Sequence, residues 1–184
     1  LQTTSRWKTF YLTHWAKPAS DRTVYRAILD EKFGRIVELG IGDCGRALRM
    51  IDAAARHAGQ ADLHYVGVDS FEARGPADGA PLPLIEAYRM LKQSGAKIKL
   101  IPGEPCDALV RSANLLGKID LLLISSNVNA ESQSRLWFFV PRLLHERSLV
   151  LRETADAKGE KIVRPLDRAE IARLAAGSPR RKAA

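Results

Sequence analysis

The stretch RIVELGIGDCGRALRMI, Arg35 to Ile51, decides how the rest of the chain is read. Its first five residues are a short apolar run, the pattern of a buried strand. Gly40, Gly42 and Gly45 follow at the spacing G-x-G-x-x-G. Ala47, Leu48, Ile51, Ala54, Ala55 and Ala58 then recur at helical spacing, with Gly59 as the stop. Strand, glycine turn and helix in that order present unpaired N–H groups and the positive end of a helix dipole at the turn. Glycine allows the backbone to turn sharply and to approach a ligand closely. A carboxylate arrives at the right distance. Asp69 ends the next apolar run, LHYVGVD, 24 residues after Gly45. That is near the roughly 20 residues expected for an acid that grips ribose hydroxyls.

Outward from this unit, strands and helices alternate. SDRTVYRAILDEKFG reads as a helix, capped by Ser20 or Asp21 and ended by Gly34. LIEAYRMLKQSG and CDALVRSANLLG are further helices, separated by the strand KIKLIPG. KIDLLLI is almost wholly apolar and is expected at the centre of a sheet. ESQSRLWFFVPRLLHE reads as one helix kinked by Pro141, RSLVLRE as a fifth strand, KIVRPL as a weaker sixth and DRAEIARLAAG as a last helix. The pattern predicts an α/β domain, a Rossmann-like, open and mostly parallel sheet with helices on both faces. Ligands of such sheets sit beyond the carboxyl ends of the strands, which directs attention to Gly40, Asp69, Pro102 and Ser125. Three segments are expected: residues 1–34 as an N-terminal segment and helix able to act as a lid, 35–176 as the cofactor-binding domain, and 177–184 as a disordered basic tail.

The chain has 184 residues, enough for one domain with a sizeable core. There is no apolar run near the roughly 18 residues that span a bilayer, and LQTTSRWKTF has no secretory pattern. Cys44 and Cys106 form no disulfide framework and no C-x-x-C motif. They read as small buried thiols. A reducing, cytoplasmic location with no membrane partner is expected. The net charge of +8 is spread along the chain, the pattern of a basic solvated surface, and a small-molecule partner is favoured over nucleic acid.

Glu38 bears on the identity of the ligand. A carboxylate near the end of a buried strand needs a partner. The pyrophosphate of a dinucleotide would repel it, whereas the ammonium and sulfonium of S-adenosylmethionine would suit it, with Asp69 on the ribose. The run VELGIGDCG, YVGVDSFEA, IKLIPGEP and IDLLLIS resembles the motifs of class I S-adenosylmethionine-dependent methyltransferases, over about Arg35 to Glu153. The likeness is to small O-methyltransferase-like members. It implies that Glu38, Gly40, Gly42 and Gly45 shape the methionine end of the site and that Asp69 binds the ribose. It also implies that Ser70 and Phe71 flank the adenine, and that Gly103 with Glu104 closes its far side.

The departures from that family are specific. The metal-assisted branch carries an Asp-rich motif after the fourth strand, where this chain reads ISSNVNAES. Hydroxyls and amides hold a divalent ion poorly without carboxylates, so no metal is expected. No Asn-Pro-Pro-Tyr, Asp-Pro-Pro-Tyr or Pro-Cys motif appears, and the catalytic base is not assigned. WKTFYLTHWAKP interleaves Trp7, Phe10, Tyr11, His14 and Trp15 with cations. It reads first as an amphipathic segment with its aromatic rings inward, then as a lid, then as a base-stacking surface. The long loop from Glu72 to Pro83 reads as a gate over the cofactor. These features lead to S-adenosylmethionine-dependent methyl transfer to an unidentified acceptor. Two alternatives stand beside it: a non-catalytic cofactor- or partner-binding module, and an NAD(P)-dependent oxidoreductase.

Overall fold

The computed structural model describes residues 6–59, 61–75 and 80–178. Helices α1 (Arg6–His14) and α2 (Asp21–Asp30) precede strand β1 (Arg35–Leu39). Then come α3 (Gly45–Ala58), β2 (His64–Asp69), a short 3-10 turn at Phe71–Ala73, α4 (Leu84–Lys92) and β3 (Lys97–Pro102). α5 (Pro105–Leu116), β4 (Ile119–Ile124), α6 (Ala130–Leu136) and α7 (Val140–Leu143) follow, and β5 (Leu144–Ala155), β6 (Lys161–Leu166) and α8 (Arg168–Ala176) complete the order. The expected tail from residue 179 onward lies outside the described residues, as do residues 76–79 of the expected gate.

The strands form one sheet in the order β3-β2-β1-β4-β5-β6. Neighbours from β3 to β5 are parallel, and β6 is antiparallel to β5. The open, mostly parallel sheet read from the sequence is present. Side chains alternate across it, so each strand feeds two cores. Ile36 packs with Val24, Ile28, Met50 and Tyr65 on the α2–α3 face. Val37 and Leu39 pack with Leu109, Leu136 and Trp137 on the other. The same alternation puts Glu38 on the α2–α3 side, where it is fully buried. Strand order reverses between β1 and β4, which opens a crevice at their carboxyl ends.

Two expectations need correction. The stretch 131–146 is not one kinked helix: α6 ends at Leu136, α7 starts at Val140, and His145 lies in β5. Pro141 has no N–H to continue a helix but suits the first turn of a new one, where the structure places it. Second, the aromatic rings of the N-terminal segment do not point inward. Leu12 on α1 and Ala16 just after it are buried in the core, and Trp7, Phe10, Tyr11 and Trp15 face out. The antiparallel β6 fits the mostly parallel sheet expected, since only residues 156–160 connect it to β5. A parallel crossover needs about a dozen residues or more, so this link can only be a hairpin. Its turn is built by Asp156, whose carboxylate accepts the N–H groups of Lys158 and Glu160, and by Gly159 at φ +79°.

Candidate functional site

β1 delivers the chain to Gly40 at φ +78° and Gly42 at φ +62°, and α3 begins at Gly45. Both left-handed positions favour glycine. A Cβ on Gly40 would lie 2.3 Å from Asn127 Oδ1, so the loop after β4 rests directly on the glycine turn. A Cβ on Gly42 would meet nothing within 4 Å. Above this turn lies a cavity of about 680 Å³, within the usual size of small-ligand sites. Gly40 and Gly42 form its floor and Ser125, Ser126 and Asn127 one wall, and Lys17, Asp21, Arg49, Glu153 and Lys161 also line it.

Arg46, in the first turn of α3, organises the buried charge. Its Nε donates to Glu38 Oε1 at 2.8 Å, and its Nη1 reaches Asp21 at 3.4 Å and Glu153 at 3.3 Å. Its Nη2 donates to Ser125 Oγ, which in turn donates to Gly40 O at 2.8 Å. Tyr65 donates to the second Glu38 oxygen at 2.5 Å. Burial pushes the Glu38 carboxyl above its ordinary range, against the opposing pull of Arg46 and Tyr65. Glu153 goes the other way. Burial would raise it, but Arg46, the Ser126 N–H and Lys161 outweigh burial and hold it low. One guanidinium thus serves three carboxylates, with Arg49 adding support at Asp21 (3.7 Å) and Lys161 at Glu153 (3.7 Å).

Asp69, at the end of β2, is 3% exposed and fully engaged. Oδ1 accepts the Phe71 N–H at 3.0 Å and Arg74 Nε at 2.7 Å, and Oδ2 accepts the Gly42 N–H at 3.3 Å. Arg74 also donates to Gly42 O at 2.6 Å and Ala80 O at 2.9 Å. Its side chain, 4% exposed, is therefore wedged between the glycine turn and the β2 carboxylate. Phe71 is buried at φ +50°. Gly103 donates its N–H to Asp69 O at 2.9 Å, and Glu104 caps α5 through Oε2 while its Oε1 is a buried acceptor without a partner.

Of the residues singled out in the sequence, Gly40 and Gly42 meet in the cavity. Glu38 lies beneath it, bound to Arg46. Gly45 opens α3 with its N–H on Asp43 Oδ1 at 2.9 Å. Asp69, Ser70, Phe71, Gly103 and Glu104 lie together past β2 and β3, behind Arg74. Cys44 and Cys106 are buried, and burial raises both thiols, Cys44 to about 12. Sequence reasoning missed Arg46, Arg74, Asp21 and Glu153. A signal existed for Arg46 alone: a buried Glu38 demands a cation, and Arg46 opens the next helix.

No protein-family model matches the chain, and no curated protein does. Solved structures do. The precorrin-6y C5,15-methyltransferase of Geobacter metallireducens superposes with a TM-score of 0.52 at 12% identity, over 79% of this chain and 66% of that one. A putative S-adenosylmethionine-dependent methyltransferase of Streptococcus mutans gives 0.52 at 13% identity, over 87% of this chain and 39% of that one. The fold is that of the class I methyltransferases. A putative methyltransferase solved with S-adenosylhomocysteine gives 0.50 at 12% identity, over 89% of this chain and 41% of that one. The methyltransferase fold here thus spans less than two thirds of the length of each of these proteins. Among the described residues no helix is long and apolar enough to cross a membrane.

Proposed function

We propose that this methyltransferase-fold chain binds S-adenosylmethionine at the β1–β4 switch point and transfers its methyl group to an acceptor, a small molecule in preference to nucleic acid. One observation carries the reading: a cavity of about 680 Å³ whose floor is two left-handed glycines at the end of β1. Gly40 and Gly42 leave room for the methionine end of the cofactor, with Glu38 and Gly45 supporting the turn. Asp69 is the candidate for the ribose, Ser70 and Phe71 for the flanks of the adenine, and Gly103 with Glu104 for its far side. The partnerless Glu104 Oε1 suits a donor such as an exocyclic amine. Asp69 fits if a ribose hydroxyl replaces the Arg74 Nε–H that now holds its Oδ1. The cofactor would supply an electrophilic methyl, and the chain would hold the acceptor's nucleophile in line with it.

The donor set supports transfer without a divalent ion. Ser125, Ser126 and Asn127 offer hydroxyls and an amide, and the carboxylates of Asp21 and Glu153 are ion-paired with Arg46. A second reading, a binding module that keeps the fold without the chemistry, is favoured by the pairing of both Glu38 and Asp69 within the chain. Calorimetric titration with S-adenosylmethionine, S-adenosylhomocysteine and NAD separates the readings. The proposal expects heat from the first two and none from NAD. NAD binding alone supports an oxidoreductase, and silence with all three supports the binding module.

A further inference from the structure

α1 carries an aromatic stripe that the fold leaves uncovered. Trp7, Phe10, Tyr11 and His14 recur at i, i+3, i+4 and i+7, the spacing of one helical face, and Trp15 extends it. Trp7 is 81% exposed, Phe10 50%, Tyr11 53% and Trp15 65%. The packing is done by Leu12 on the helix, at 2%, and by Ala16 just after it, at 1%. The outward rings therefore contribute nothing to the core. Four large aromatic residues side by side on a surface mark a contact site.

The surroundings are cationic. The first twenty residues contain Arg6, Lys8 and Lys17 and no Asp or Glu. Arg26 from α2 donates to Thr13 O at 2.8 Å and Arg22 to Ala16 O at 2.9 Å, which fixes two more positive charges against the end of α1. Arg56 borders Trp7, Phe10 and His14 from α3. Tryptophan and tyrosine have an apolar body and a polar tip, the combination that settles at the boundary of lipid and water. Exposed aromatic rings beside basic residues suit the boundary of an anionic bilayer, where the rings settle at headgroup level and the cations meet anionic lipid.

We infer that α1 docks this protein on an anionic lipid surface, with Trp7, Phe10, Tyr11 and Trp15 seated in the interface and the neighbouring arginines of α2 and α3 toward the headgroups. Other occupants fit less well. A second copy would bring the same cations to the contact with no acid from this segment opposite them. A single-stranded nucleic acid needs a basic groove with free ring faces. Here only the rings of Trp7, Phe10 and His14 border the hollow beside Arg56, Tyr11 and Trp15 lie outside it, and one face of Phe10 is already stacked on His14 at 4.6 Å. The inference is independent of the cofactor reading; it departs from the expectation of no membrane partner and concerns attachment to a surface, not crossing.

The test uses the 184-residue chain with vesicles of phosphatidylcholine alone and of phosphatidylcholine with about one third phosphatidylglycerol. Co-sedimentation is expected only with the anionic vesicles, weakening as salt is raised. Tryptophan emission should shift to the blue, because Trp7 and Trp15 are exposed while Trp137 is already buried. The triple variant Trp7→Ser, Phe10→Ser, Trp15→Ser should keep its unfolding transition and lose at least about tenfold in vesicle affinity. Absence of binding to the anionic vesicles overturns the inference, as does equal binding by the folded triple variant. So does a wild-type dimer, or an oligothymidylate complex, that the triple variant abolishes while vesicles are ignored.

Discussion

At Asp69 three donors meet one carboxylate, and the strongest of them belongs to Arg74. Any ligand that uses Asp69 must displace that guanidinium. Charge-assisted hydrogen bonds contribute about 1.5–3 kcal/mol, so the competition is appreciable. Arg74→Gln should tighten S-adenosylhomocysteine binding by at least about tenfold while lowering the stability of the free protein. Calorimetry and denaturation together check both effects, and an unchanged affinity in a folded variant would show that Arg74 does not compete. Arg46 has a different role, because its loss leaves Asp21, Glu38 and Glu153 without their shared cation. Arg46→Met should cost about 3–5 kcal/mol of stability in urea unfolding. A loss under about 1 kcal/mol would mean that the three carboxylates relax into water instead. The same cluster predicts a pH dependence. Glu153 has a depressed folded value, so its contribution is present above the ordinary 4.5 and is lost as pH falls below it. Glu38, raised by burial, has the opposite sign. Glu153→Gln should therefore be destabilising at neutral pH, with the gap to wild type narrowing as pH falls below 4.5. A gap that widens on acidification would contradict the assignment.

At the scale of elements, the β5–β6 hairpin ends the sheet with an antiparallel pair. Gly159→Ala places a side chain at φ +79°, which should cost about 1–2 kcal/mol in chemical unfolding. No loss would mean that the turn adopts another form. The elements were legible in the sequence because apolar periodicity changes cleanly from strand to helix between Arg35 and Leu116. The break at Trp137 to Phe139 was not legible. Leu136, Trp137, Val140 and Leu143 are all buried and hold helical spacing across the interruption, so the apolar pattern alone reads as one helix. The direction of β6 follows from its short link to β5, since five residues cannot cross over a sheet. The α1 aromatic rings were misread because burial was inferred from residue type. Leu12 and Ala16 satisfy the core, and the larger rings are left outside.

The whole molecule concentrates its buried charge at one end of the sheet, where β1, β4 and β5 stop. The turn glycines, Glu38 and Asp69 of the candidate site were readable because each lies at the end of an apolar strand or follows it. Asp21, Glu153 and Arg74 were not, because they act through contacts that only the folded chain creates, and Arg46 was signalled only by the need of a buried Glu38 for a cation. At this scale the absence of carboxylates in the Ser125–Asn127 wall predicts that turnover, once an acceptor is found, survives a chelator. Loss on chelation with recovery on added magnesium would reverse that expectation. The central claim is that the cavity over Gly40 and Gly42 receives S-adenosylmethionine with its ribose on Asp69. The most direct measurement is a crystal structure grown with S-adenosylhomocysteine. The account predicts ligand density above Gly40 and Gly42 beside Ser125 and Asn127, with Arg74 withdrawn and the ribose hydroxyls on Asp69. Arg74 still bound to Asp69, with the cavity empty at saturating ligand, would contradict it.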